Sequence, residues 1–239
     1  MKGRKPDVKD CCWIQRVFCA GLLRQSYIPA GRLKELRMLV RERQDIIEMG
    51  SAYVNKMQKC LELMNIKLTN VLSQIHGTSG IKIIEAIING ERDTQKLLLL
   101  CDPRITKHKS EKVTKALEGN YNETWLFMLQ QNLQMWKQHQ QQIWKIDKRI
   151  EQLLEVLENC KAEPASVGKG KNIRYHKPAI NDLHKRLVKI YGVDANTVPG
   201  INDYTLLRLL GETGTDMGRY PTMKHFVSWC QLAPGHNKS

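Results

Sequence analysis

Two carboxylates stand three residues apart near the start of the chain, Asp7 and Asp10 in "KPDVKD". On a helix that spacing puts them on one face, where paired carboxylates can hold Mg2+. Two acids are few for a catalytic cage, and the same pair suits a helix N-terminus, capping it and facing its positive dipole. At the other end "LAPGHNKS" passes through a Pro-Gly turn and stops on Ser239, directly after an aromatic helix pattern of His225, Phe226 and Trp229. A serine there is either part of a polar tail or a nucleophile that needs a base and a neutralised phosphate.

Two further stretches point to phosphate. In "TVPGINDYTLLRLLGETG", Pro199 and Gly200 form a turn ahead of a helix striped with Tyr204, Leu207 and Leu210, as in a helix-hairpin-helix. Backbone N–H groups at such a helix start can cradle a phosphate without reading sequence. Asn202 occupies the place of the usual second glycine and tolerates a left-handed backbone; an ordinary Pro-Gly turn is the alternative. Upstream, "GKGKNIRYHK" carries Lys169, Lys171, Arg174 and Lys177 and no acid, fit either for a solvated linker or for lying along a phosphate backbone. The seven cysteines show no zinc spacing, and Cys230 with His225 and His236 is too sparse for a metal site. They read as core thiols of a reducing, cytoplasmic protein.

Long helices must position these residues. From Leu33 every seventh residue is apolar (Val40, Ile47, Val54, Leu61, Leu68, Ile75), with companions Leu36, Arg43, Gly50, Met57, Met64 and Val71. This predicts one helix over about 32–75, roughly 65 Å long at 1.5 Å per residue. A second seam, Leu129, Trp136, Ile143, Ile150 and Leu157, predicts another over 124–160, the two pairing as an antiparallel coiled coil either within one monomer or between two. Arg43, Asn132 and His139 break the apolar rule; they either fix register or, for Arg43, reach a phosphate. Shorter helices lie between, with Asp93 as a cap, Pro103 as a stop and a start at Ser110. No stretch alternates as a strand does, so the fold class is mainly α.

Charge favours a polyanionic partner: 38 Lys and Arg against 24 Asp and Glu leave +14. The excess is uneven, since residues 161–239 hold twelve basic and six acidic residues while 119–160 are slightly acidic. Asp7, Asp10, Gln15 and Arg16 rule out reading "CCWIQRVFCAGLL" as a signal peptide, and the longest aliphatic run, Leu97 to Leu100, is too short to span a bilayer.

"GRKPDVKDCCWIQRVFCAGLLRQSYIP", "LKELRMLVRERQDII" and "VPGINDYTLLRLLGETG…YPTMKHFVSWCQLAPGHNKS" together resemble the insertion sequence one-ten transposases, the DEDD, Piv/MooV-like recombinases. The resemblance implies a RuvC-like (RNase H-like) domain with four acidic ligands for Mg2+, a long coiled coil, and a C-terminal domain with a nucleophilic serine. It also implies DNA strand exchange, association with a guide (bridge) RNA, and a homo-oligomeric parent protein. On this chain Asp7 and Asp10 fall on the last two acids and Ser239 on the nucleophile. Pro6 replaces a usual threonine, and the first Asp and the Glu are missing, which marks the chain as an internal fragment inactive by itself. The implied division is 1–31, the end of the RuvC-like domain; 32–160, coiled coil; 161–178, basic linker; and 179–239, an incomplete C-terminal domain. Rival expectations are a remnant that only binds RNA or DNA, and a structural coiled-coil protein.

Overall fold

The computed structural model describes residues 7–23, 27, 29–158 and 167–230. The described residues contain helices and turns and no strand, and no helix among them is long and apolar enough to cross a membrane. A short helix α1 (Asp7–Cys19) precedes the long α2 (Arg32–Leu63). Next come α3 (Thr78–Ile88), α4 (Thr94–Leu99) and α5 (Pro103–Ala116), and the long α6 (Glu123–Glu158) returns alongside α2. Three helices close the described chain: α7 (Leu183–Tyr191), α8 (Asp203–Thr213) and α9 (Met223–Trp229).

Residues of both seams are buried along α2 and α6. Leu36, Val40, Ile47, Met57 and Leu61 are buried on α2, and Leu129, Ile143, Ile150 and Leu153 on α6. Arg43 pairs with Asp147 and Gly50 lies against His139, so the two helices run antiparallel.

The first helix is shorter than its heptads predict. It stops at Leu63, and Asn65 adopts a left-handed φ of 63°. The Asn65 amide donates to Glu62 O at 2.9 Å and the Ile66 amide to Leu61 O at 2.8 Å. This is a Schellman closure, with Ile66 and Leu61 buried together as its apolar contact. Leu68, Val71 and Ile75 keep their buried roles from the turn and loop that follow. Pro103 is likewise more than a stop. It is the first residue of α5, capped by Asp102, whose side chain accepts from the Arg104 amide, and Ser110 follows a kink at Lys109.

Two apolar cores sit at opposite ends of the α2–α6 pair. The distal core joins Met57, Leu61, Ile66 and Leu68 to Ile83 and Ile87 of α3, Leu97 of α4, Leu117, and Leu129 of α6. In the proximal core Leu36 and Val40 of α2 and Ile150 and Leu154 of α6 meet Leu187 of α7 and Leu206, Leu207 and Leu210 of α8. Arginine–carboxylate clamps hold the small helices on. Glu212 of α8 receives Arg37 at 3.0 Å and Arg41 at 2.7 Å, and Arg186 of α7 meets Glu158 at 2.9 Å and Glu155 at 3.2 Å. At Gly211 the helices come so close that a Cβ would lie 3.2 Å from Arg37 Cα.

Arg43 settles its two readings in favour of register. Its side chain is 1% exposed, Nε donates to Asp147 Oδ1 at 2.5 Å, and Nη2 donates to Asp147 Oδ2 at 3.3 Å and His176 O at 2.9 Å. Asp147 Oδ2 also accepts the Ala179 amide at 2.8 Å, and the guanidinium lies 4.8 Å from the Tyr204 ring centroid. Arg43→Ala would leave Asp147 buried without its cation, so urea titration is expected to show a loss of about 3–5 kcal/mol. Arg43→Met with Asp147→Leu removes both charges and should cost less than the sum of the single changes. Strict additivity would show that the pair is not coupled.

Candidate nucleic-acid interface

Residues 167–180 have no regular secondary structure, yet their described part is not a free tether. Ile173, Pro178 and Ile180 are buried, and the strip is pinned to the long helices by the Arg43–His176, Asp147–Ala179 and Glu151–Asn181 hydrogen bonds. Its two glycines serve close approach. A Cβ on Gly168 would lie 2.7 Å from Asp194 Oδ2, and one on Gly170 would lie 2.8 Å from Asp203 Oδ2. Glycine lets the backbone pass this near without displacing those carboxylates.

Beneath the strip lies a polar cluster that the sequence did not reveal. His184 Nδ1 is 2.8 Å from Asp203 Oδ1, Asn196 Nδ2 donates to the same oxygen at 2.6 Å, and His184 Nε2 lies 3.6 Å from Asp194 Oδ2. These residues come from α7, the turn at Ala195–Thr197 and the first turn of α8, and together they fix the hairpin between the two helices. No local pattern marks a His and an Asp nineteen positions apart; the folded hairpin alone joins them.

The proposed phosphate-binding residues divide into two groups. Lys171 Nζ donates to Val198 O at 2.7 Å and Ile201 O at 3.0 Å, so it clamps the hairpin. Asn202 caps α8, its side chain accepting from the Thr205 amide at 2.9 Å. Gly200 turns the hairpin with a φ of 81° and is exposed. Lys169, Arg174 and Lys177 point their charge to solvent, with Arg174 over the Tyr175 ring at 5.2 Å. A further set of exposed cations, Arg104, Lys107, Lys112 and Lys115, lies on α5 at the distal end.

Arg174 and Lys177 also border a cleft of about 540 Å3 at the middle of the α2–α6 pair. Burial lowers the pKa of His76 and of His176 in its wall, with the neighbouring His176 adding to the effect at His76 and Arg43 at His176.

Asp7 opens α1 and Asp10 lies exposed in its first turns, the position that suits a helix dipole. Among the described residues no group of three or more His, Cys, Asp or Glu is placed to hold a metal ion. Ser239 lies outside the described residues.

The clamp is open to test by Lys171→Met, which keeps the stem and removes the ammonium. Hydrogen bonds to charged groups are worth about 1.5–3 kcal/mol, so amide exchange at residues 198–202 should quicken by at least about tenfold. Unchanged exchange there would show that Lys171 does not hold the hairpin.

Residues 195–239 match the family model described as "Transposase IS116/IS110/IS902 family". No curated protein and no solved structure matches the chain. The matched stretch contains the hairpin turn, α8 and α9 and runs to Ser239. In its C-terminal part, the chain is similar in sequence to a transposase family.

Proposed function

We propose that this chain works in DNA transposition by an insertion-sequence transposase, as a nucleic-acid-binding part of that machinery. The observation that carries the reading is the transposase match over residues 195–239, a stretch that holds the hairpin clamped by Lys171. Exposed Lys169, Arg174 and Lys177 lie on the strip that covers this hairpin, which supports a sequence-independent grip on DNA or on a guide RNA. Homo-oligomeric assembly belongs to the same reading.

Ser239 is the proposed nucleophile. Its Oγ attacks a DNA phosphorus, the bond to one ester oxygen breaks, and a phosphoserine ester forms. The serine proton passes to a base, and the departing DNA oxygen takes up a proton. Asp7 and Asp10 are proposed as two of the carboxylates that hold Mg2+ for this family's chemistry. By themselves they leave most of an octahedral oxygen shell unfilled. The isolated chain is accordingly proposed to be inactive, binding nucleic acid without cutting it.

Binding is measured by fluorescence anisotropy on duplex DNA and on structured RNA across a salt series. The combined change Lys169→Ala, Arg174→Ala and Lys177→Ala should weaken both on the order of tenfold. It should also flatten the log–log salt slope by about 0.9 for each duplex phosphate that is no longer neutralised. An affinity indifferent to salt and to these substitutions would leave the structural coiled-coil alternative standing.

Catalysis is tested in a fusion that joins this chain to the acidic domain of an intact relative. With Mg2+ and a nicked-duplex trap, a covalent DNA adduct should map to Ser239 by mass spectrometry. The adduct should vanish in Ser239→Ala; its persistence would place the nucleophile elsewhere.

A further inference from the structure

The cleft lies beside the α2–α6 seam at the level of Gly50. Gly50 contributes no side chain at a seam position, and the nearest atom to a Cβ built there is His139 Cβ at 3.8 Å. Val54 and Trp136, which pack against the distal core, line the cleft together with Ile47 of the small cluster that Ile47 forms with Ile46 and Ile143. Two further segments close the walls: Gln74 and His76 from the loop before α3, and residues 174–177 of the pinned strip. The resulting volume, about 540 Å3, falls within the roughly 300–1,000 Å3 of small-ligand sites.

The lining has a consistent chemistry. Trp136 and Tyr175 present aromatic rings, with His76 tilted against Trp136 at 6.2 Å between centroids. Asn55, Gln74 and Gln140 carry amides that both donate and accept hydrogen bonds. Arg174 and Lys177 supply positive charge, and no carboxylate is among the lining residues. His76 Nδ1 is buried without a hydrogen-bond partner, an unsatisfied group in a wall that is otherwise well supplied with them.

We propose that this cleft receives one unpaired nucleotide of an RNA or DNA strand. The base would stack on the aromatic wall and meet the amides and His76 with its polar edge. Its phosphates would lie against Arg174 and Lys177. The inference rests on the nucleic-acid reading of the strip and deepens it, from a passive phosphate contact to recognition of a base freed from its helix. A duplex, about 20 Å across, cannot enter such a volume, whereas single-stranded bases are commonly splayed onto aromatic side chains and read along their edges.

The test uses three labelled duplexes of 20 base pairs: one fully paired, one with a single-nucleotide bulge, and one with the bulged nucleotide made abasic. RNA versions of the three provide the second arm. The intact chain should bind the bulged duplex on the order of tenfold more tightly than the other two. Tyr175→Ala and Gln140→Ala, both at exposed positions, should erase that preference and leave fully paired affinity and the melting temperature unchanged. Equal binding of all three duplexes, or a preference that survives both substitutions, overturns the proposal while the salt-dependent grip of the strip still stands. No binding to any of them overturns both. Adenosine monophosphate binding as tightly as the bulged duplex would make the occupant a free nucleotide and overturn the strand assignment.

Discussion

One buried ion pair sets the register of the whole molecule. Arg43 and Asp147 sit on opposite long helices in a setting almost without solvent, where an unmatched charge would be strongly destabilising. Sliding α2 against α6 by one turn would separate them, so only one alignment is tolerated. The same two side chains hold the backbone at His176 and Ala179, which places the basic strip, and the guanidinium lies over Tyr204 of α8. The alignment of the long helices, the course of the strip and the seat of the C-terminal helices thus follow from one contact. Apolar packing supplies most of the stabilisation, but a greasy seam is nearly periodic and would accept several alignments; the charges break the degeneracy.

What could be read in advance follows from the range of the interactions. The heptads exposed both long helices and their buried faces because each helix carries its own periodicity. Arg43 was recognisable as a register residue, but its partner 104 positions away was not. Asn65 was a visible stop signal that the continuing apolar repeat concealed, since Leu68 and Ile75 are buried for a reason other than helical phase. Gly168 and Gly170 looked like flexibility and are instead points of backbone contact, a distinction that depends on Asp194 and Asp203 arriving from elsewhere.

The candidate site shows the same division. The basic strip and the hairpin could be found as motifs, and the transposase likeness of residues 195–239 could be recognised from their sequence. The work done by individual residues could not. Lys171 grips carbonyls and Asn202 caps a helix, both holding the hairpin's shape, while Lys169, Arg174 and Lys177 remain turned to solvent. Charge alone does not say which lysine has a carbonyl within reach.

The two-core arrangement has a consequence for chain entropy. Closing the Arg43–Asp147 contact directly ties off a loop of about a hundred residues, and the entropy lost grows with the logarithm of loop length. The distal core draws on sequence between Val54 and Trp136, and the hydrogen bond from Asn120 to Met64 closes a loop about half as long. Once that end is assembled, α2 and α6 leave it side by side, and each further turn toward Arg43 fixes only a few residues at a time. Native topology therefore turns a remote encounter into a zipper, in which the ion pair tests the alignment before Leu36 and Val40 meet Ile150 and Leu154.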